Sequence, residues 1–272
     1  MEQSIVSAQQ EGQFLPSAQP STGAFYYFSL GDWLQQAENI KHLHTTESLE
    51  ASKSLLIERI VAEVASVASK EDVLRVSLDK LTSEQIIAAS EQSAAKESNP
   101  LMGVRGVARY ASADYLAWFQ LECTLIKALR EHFANVTVVV PFVRSLADAA
   151  RIIDKLAEQG LPRGLNGLKV LFSVNVPSSA LLAERLLHYF DGLVIDSEDL
   201  TQFTLGVDKH NPDHQHSYAP DNESVLQLIS IAYQAAQAFK KPAILLTEQL
   251  ATNRAYQLLL SEQPDLSVVV TQ

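Results

Sequence analysis

The sequence has little cysteine and an excess of acidic over basic residues. Its single cysteine, Cys123, allows no internal disulfide and fits a reducing cytosol, and the apolar helical pattern around it predicts core packing. The 21 basic residues against 32 acidic ones give a net charge of −11, which disfavours nucleic acid and anionic membranes as partners. No apolar run reaches membrane-spanning length, and no signal-peptide pattern is present. These absences predict a cytoplasmic protein with neither nucleic acid nor membrane as a partner.

Short apolar segments typical of strands alternate along the chain with longer segments of helical spacing. Hydrophobic residues make up 47% of the 272 residues, enough to bury a sizeable core. About eight such units in roughly 250 residues predict an α/β fold, a (β/α)₈ TIM barrel. Residues 1–22, rich in Gln, Ser and Pro, are predicted to be a flexible leader, with the barrel over 23–272. The predicted strands are 24–30, 73–78, 102–105, 136–142, 168–174, 192–196, 243–247 and 266–271.

Residues 99–110 form the most distinctive segment, Asn-Pro-Leu-Met-Gly-Val-Arg-Gly-Val-Ala-Arg-Tyr. Pro100 disfavours helix at the start of this segment, and the glycines on either side of Arg105 allow the backbone to approach a ligand closely. The planar guanidinium of Arg105 suits a carboxylate or phosphate, which it can bind through two hydrogen bonds. By spacing alone, however, a turn whose arginine makes a structural ion pair is the favoured interpretation.

Charged and polar residues lie at or near the carboxyl ends of the predicted strands. In a (β/α)₈ barrel the loops after these ends meet at one mouth, where the chemistry takes place. We therefore expect a single site there, and this convergence favours a functional role for Arg105 over a structural one. The residues expected to converge are Arg75, Arg105, 141–144, Asn175, 196–199 and 247–249.

The segment 99–110 resembles the C-terminal phosphoenolpyruvate (PEP)-binding barrel of PEP synthase and the wider family of PEP-utilising enzymes. The resemblance extends over most of residues 70–271 and implies a barrel of the PEP/pyruvate-domain type that binds PEP or pyruvate with arginines and one Mg²⁺. It implies that Arg75 and Arg105 contact phosphate or substrate. It also implies that Asp199, in an Asp-Leu-Thr-Gln run, is a metal ligand. Because such barrels commonly dimerise, a homodimer is expected.

The sequence departs from the family pattern at several functional positions, including the three that follow. A metal-binding glutamate of the family is Asn175 here, and a neutral amide is a weaker magnesium ligand. A substrate-binding asparagine is Glu198. The acid/base cysteine is Thr247, whose hydroxyl is too weak an acid for that work. Gln249 matches the family glutamine and is predicted to contact substrate.

The charge predicted at the mouth argues against the family chemistry. Asp196, Glu198 and Glu248 add negative charge relative to the family, so a multiply charged anion such as PEP would meet like charge. A rearranged Mg²⁺ site would relieve this if Asp196 and Glu198 joined Asp199 as ligands.

Three candidate functions follow from this reasoning. The first is a PEP synthase-like barrel without dikinase catalysis, which acts as a binding, regulatory or assembly module. The alternative is a Mg²⁺-dependent enzyme of transferase or lyase type, acting on PEP, pyruvate or a related 2-oxo acid through Arg75, Arg105 and Asp199. A third option is a subunit that works with partner proteins carrying ATP-grasp and phosphohistidine domains, and the missing cysteine argues against it.

Overall fold

The chain folds into a closed barrel of eight parallel strands, β1 to β8 in sequence order, in which β8 pairs with β1. The computed structural model describes residues 11–14, 25–31, 49–83, 85, 97, 99, 102–263 and 265–271. The predicted α/β barrel class is confirmed. The strands are β1 (Glu11–Phe14), β2 (Phe25–Ser29), β3 (Val73–Ser77), β4 (Asn135–Val140), β5 (Lys169–Val174), β6 (Leu193–Asp196), β7 (Ala243–Thr247) and β8 (Ser267–Val270).

Helices connect the strands and pack against the outside of the barrel. Ser145 caps one of them, because its Oγ accepts a hydrogen bond from Asp148 N at 3.1 Å. Within the described part of the chain, no helix has the length and apolar character needed to cross a membrane. The α-helices are α1 (Leu49–Val67), α2 (Val107–Tyr110), α3 (Leu116–His132), α4 (Leu146–Glu158), α5 (Pro177–Leu181), α6 (Ala183–Leu186), α7 (Ser197–Leu205), α8 (Glu223–Ala238) and α9 (Arg254–Glu262).

Alternate residues of strands β2 to β8 enter two separate hydrophobic clusters. On β2, Tyr26 and Phe28 pack between the strands and the helices, whereas Phe25 and Tyr27 line the barrel interior. This alternation is the two-residue period of a strand, and both sets are apolar because parallel strands are buried on both faces. Cys123 is fully buried in the outer cluster, which confirms its predicted packing role.

Strand β1 lies within residues 1–22, for which the sequence predicted a flexible leader. That prediction is wrong for these four residues, because Gly12 is in register with Phe25 of β2 on one side and with Val269 of β8 on the other. Its sequence, Glu-Gly-Gln-Phe, has neither alternating apolar residues nor β-branched ones. Backbone hydrogen bonds to the neighbouring strands β2 and β8 hold it in place. Pairing with distant strands leaves no pattern in the sequence of β1 itself. The barrel thus begins before residue 23.

The prediction of a strand over 102–105 is also wrong. The predicted number of eight strands still agrees with the structure, because β1 takes the place of that strand. These residues form a turn, in which Met102 N donates to Asn99 Oδ1 at 3.2 Å. Since β1 supplies the eighth strand, the closed barrel has no place for another. Asp32 is a typical cap residue and predicts a helix that begins near Trp33, and this segment lies outside the described residues.

Candidate functional site

Four polar side chains from three strand ends meet at the mouth of the barrel. Lys80, which follows β3, donates from Nζ to Asp196 Oδ2 at 2.5 Å and to Asp199 Oδ2 at 3.1 Å. Asn175, which follows β5, donates from Nδ2 to Asp199 Oδ2 at 2.9 Å and to Asp196 Oδ2 at 3.4 Å. We refer to Lys80, Asn175, Asp196 and Asp199 as the Lys80 cluster. It brings together Asn175, Asp196 and Asp199, three of the residues that the sequence suggested as metal ligands, but not Glu198.

The two carboxylates of the Lys80 cluster are placed by the start of α7. Asp196 ends β6 and caps the helix, because its Oδ1 accepts from Asp199 N at 3.1 Å. Asp199 therefore lies in the first turn, where the helix dipole favours negative charge. Burial and the neighbouring Asp199 raise the pKa of Asp196. Burial opposes ionisation of Asp199 as well, but Lys80 and Arg105 bring its pKa below the ordinary value.

The backbone of Phe142 sets the orientation of the Asn175 amide. Phe142 N donates to Asn175 Oδ1 at 2.9 Å. Because a backbone N–H can only donate, the amide oxygen must face it. The amide nitrogen then faces the two carboxylates, so Asn175 supplies them with hydrogen-bond donors.

Arg105 lies beside the Lys80 cluster, as the convergence of strand ends predicted. Its side chain faces the rings of Phe142 and Phe203, with the guanidinium carbon 5.3 and 5.9 Å from their centroids. The residue is only 7% exposed, yet its Nε has no hydrogen-bond partner. Burial lowers the pKa of Arg105, and the charge of Asp199 opposes this. Among the described residues Arg105 makes no ion pair, so the structural interpretation is not supported.

Gly106 allows the Arg105 segment to approach the end of β4 closely. Its φ of +54° and ψ of −131° belong to a backbone region open mainly to glycine. A Cβ at this position would lie 2.4 Å from the Pro141 carbonyl oxygen and 2.6 Å from Phe142 Cβ. The second glycine of the motif is therefore required by geometry.

We expect Gly106→Ala to lower the free energy of unfolding by about 3 kcal/mol, through steric overlap added to backbone strain. Urea denaturation measures the change. Gly160→Ala is the matched control, because Gly160 has a φ of +80° but no atom within 4 Å of the position that a Cβ would occupy, so strain alone should cost about 1 kcal/mol. Equal losses in the two variants would contradict the close approach at Gly106.

The structural ion pair of this segment is made by Arg109. Its NH1 lies 2.7 Å from Asp79 Oδ2, and both side chains are fully buried. The Tyr110 hydroxyl donates to the Asp79 carbonyl, and Glu122 Oε1 accepts from Asp79 N at 2.6 Å. Since Asp79 directly precedes Lys80, this buried network holds the loop that presents Lys80 to the mouth.

Arg75 lies inside the barrel. It is in register with Tyr27 on β2 and Thr137 on β4, and its guanidinium carbon is 3.7 Å from the centroid of the Phe25 ring. Its NH1 is buried without a hydrogen-bond partner, and burial lowers its pKa to about 10. Among the described residues no hydrogen bond or ion pair joins Arg75 to the Lys80 cluster. Arg75 is thus a second, separate cation, half-buried in the barrel, that remains charged at neutral pH.

The remaining carboxylates of the mouth are compensated locally. Glu248 pairs with Lys209 at 2.8 Å. Glu198 is buried and accepts from Glu248 N at 2.9 Å, and burial together with the charge of Asp196 raises its pKa to about 7. Lys80 pairs with both aspartates of its cluster. The count of charges along the sequence therefore overstates the negative charge that an anion would meet at the mouth.

A sequence profile described as the PEP-binding domain of PEP-utilising enzymes matches residues 35–262. The chain belongs to this family. PEP synthase from Escherichia coli is 38% identical over 184 residues, which cover 67% of this chain and 23% of that protein. PEP synthase from Neisseria meningitidis is 35% identical over 188 residues, covering 68% and 24%. The PEP-binding domain described here thus spans about a quarter of the length of these relatives.

The residues of the PEP-binding domain do not fit the Mg²⁺ ion that the family resemblance implies. Magnesium requires oxygen lone pairs, whereas the Lys80 ammonium lies between the two carboxylates and Asn175 turns its nitrogen toward them. In the part of the chain that is described, no group of three or more His, Cys, Asp or Glu side chains is placed to hold a metal.

Thr247 and Gln249 form a turn at the end of β7. Thr247 is fully buried, and its Oγ1 accepts from Gln249 N at 3.1 Å. Ala243 and Leu245 lie on the same face of β7 as Thr247 and pack in the outer cluster. Thr247 is therefore on the strand face that points away from the barrel interior. Gln249 is half-buried in this turn. The hydroxyl that stands at the cysteine position is therefore engaged in local structure.

Sequence reasoning missed Lys80. The available signal was its position, three residues beyond the end of a buried strand and hence in a loop where barrel enzymes carry their chemistry. Its contact with Asp196 spans 116 residues, and no local pattern predicts such a partner.

Proposed function

We propose that this PEP-binding domain binds PEP or a related small 2-oxo acid anion at the barrel mouth and does not carry out dikinase chemistry. The environment of Arg105 supports anion binding most directly. Its guanidinium is buried beside the mouth, and its Nε has no hydrogen-bond partner. A buried donor without a partner costs about 1–3 kcal/mol. A carboxylate or phosphate oxygen placed there would recover that cost through a charge-assisted hydrogen bond.

The environment of Thr247 supports the absence of turnover. Moving an enol proton requires a group whose pKa lies near the working pH, and a threonine hydroxyl does not meet this requirement. The Thr247 hydroxyl is also buried and bonded to the following turn. A binding, regulatory or assembly role is therefore the function we favour over the Mg²⁺-dependent enzyme.

The relatives are named PEP synthases, so PEP, pyruvate and the enolate mimic oxalate are the first ligands to test. We expect calorimetry to show binding of at least one of them. Arg105→Met should weaken that binding about tenfold or more, since it removes a charged bidentate donor. Arg130→Met is the control, because Arg130 donates to Asn166 O near the opposite end of the barrel and should leave binding unchanged.

Two results would contradict the proposal. No heat with any of the three anions would remove the binding function. Binding of oxalate that requires Mg²⁺ and is lost in Asp199→Asn would favour the metal-dependent alternative. Mass measurement by light scattering in the same preparation tests the proposed homodimer.

A further inference from the structure

We propose that Lys80 acts as a built-in cation in place of a divalent metal, so that the mouth of this domain binds its anion without metal. The inference about the anion rests on the proposed function above. The inference about the metal stands on the geometry of the Lys80 cluster alone, and the experiment keeps the two apart.

The convergence point of the two carboxylates is filled by hydrogen-bond donors from two directions. Lys80 Nζ lies 2.5 and 3.1 Å from the Oδ2 atoms of Asp196 and Asp199, and Asn175 Nδ2 approaches the same two oxygens. These are the oxygens that a metal bridging the pair would bind. A divalent ion would therefore have to displace the ammonium and face the amide nitrogen.

The position of Lys80 is fixed by the buried contacts of the residue that precedes it. The preceding residue, Asp79, is fixed by the buried guanidinium of Arg109 and by hydrogen bonds to Tyr110 and Glu122. Burial lowers the pKa of Lys80, but the charges of Asp196 and Asp199 outweigh this and keep it well above its ordinary value. The ammonium is thus held at a set position between the two carboxylates, as a bound metal would be.

The charges of the side chains at the mouth balance without a bound metal ion. The charges of Lys80 and Arg105 together equal those of Asp196 and Asp199, and Arg105 lies close enough to lower the pKa of Asp199. An ammonium carries three N–H donors, and the two carboxylates use two of them. The Lys80 side chain is 33% exposed, and the third donor is the one that we propose an anion entering the mouth would meet.

Removal of the lysine should create a metal site between the two carboxylates at the mouth. We expect Mn²⁺, followed by electron paramagnetic resonance, to bind Lys80→Ala at least about tenfold more tightly than it binds the wild-type domain. The double variant Lys80→Ala/Asp199→Asn should lose the acquired site. Lys209→Ala is the matched control, because it frees a single carboxylate, Glu248, and should acquire no Mn²⁺ binding.

Oxalate calorimetry on the wild-type domain provides a readout that needs no variant. Affinity should be the same in EDTA and in Mg²⁺, whereas Lys80→Ala should lose about tenfold or more in EDTA and regain affinity when Mg²⁺ is added. If Lys80→Ala does not fold, Lys80→Ser replaces it in both assays.

Three outcomes would overturn the inference. They are Mn²⁺ binding by the wild-type domain as tight as by Lys80→Ala, no Mn²⁺ binding by either protein, and oxalate binding by the wild-type domain that strengthens about tenfold with Mg²⁺. Absence of oxalate binding under every condition would instead remove the proposed function. In that case the Mn²⁺ results would still decide whether Lys80 occupies a metal position.

Discussion

Arg109→Ala is expected to lower the free energy of unfolding by about 3–5 kcal/mol, the range seen when one partner of a buried ion pair is removed. The reason is the complete burial of both side chains, whose atoms NH1 and Oδ2 of Asp79 lie 2.7 Å apart. Loss of the guanidinium leaves the Asp79 carboxylate in a low-dielectric environment without the charge that compensates it. Urea denaturation at pH 7 measures the change.

Two further variants make the Arg109 result specific. Lys155→Ala removes a partner of Glu158 from an exposed i,i+3 pair, and such pairs contribute less than about 0.5 kcal/mol. Asp79→Asn added to Arg109→Ala should restore more than about 1 kcal/mol, because a neutral amide costs less to bury than an uncompensated carboxylate. A small loss in Arg109→Ala, equal to that in Lys155→Ala, would contradict the importance of the buried pair.

Glu198→Gln is expected to stabilise the domain by about 3 kcal/mol at pH 8 and to leave its stability unchanged near pH 4.5. In the folded state the pKa of Glu198 is about 7, against an ordinary value of 4.5, chiefly because the side chain is buried and secondly because Asp196 is near. Between these values the folded protein keeps a proton that the unfolded chain releases. Stability of the wild-type domain therefore falls as pH rises through this window.

Urea denaturation between pH 4.5 and 8 tests this prediction. The difference between Glu198→Gln and the wild-type domain should grow through the window, because glutamine keeps the acceptor for Glu248 N and cannot ionise. Glu158→Gln, in an exposed ion pair, is the control and should give a small difference. A difference for Glu198→Gln that does not vary with pH would contradict the raised pKa.

Several barrel strands were predicted almost to the residue. The prediction over 168–174 corresponds to β5 (Lys169–Val174), and the prediction over 243–247 coincides with β7 (Ala243–Thr247). Both are continuous apolar runs, and such runs are what burial on two faces requires of a parallel strand. Where burial is complete, the local sequence carries the structural information.

The start of one helix was predicted wrongly from its candidate N-cap residue, because a proline nearby also favours a helix start. Ser178 is of a residue type that often caps helices and predicts one helix from there to about Tyr189, but Pro177 occupies the first turn and the segment divides into α5 and α6. Proline at the first helical position is well tolerated, so the helix starts before the serine. An N-cap residue type therefore indicates a nearby helix start without locating it.

By itself the sequence determined the barrel, the family and the presence of Arg105, Asn175, Asp196 and Asp199 at the mouth. Strand burial and the rule that barrel loops share one end are properties of residue type and order, so they can be derived from the chain. Only the tertiary structure decided that Lys80 reaches two carboxylates more than a hundred residues away and that the Phe142 backbone turns the Asn175 nitrogen toward them. Those contacts exist because the barrel closes, and a long-range partner of a charged group has no local period to reveal it.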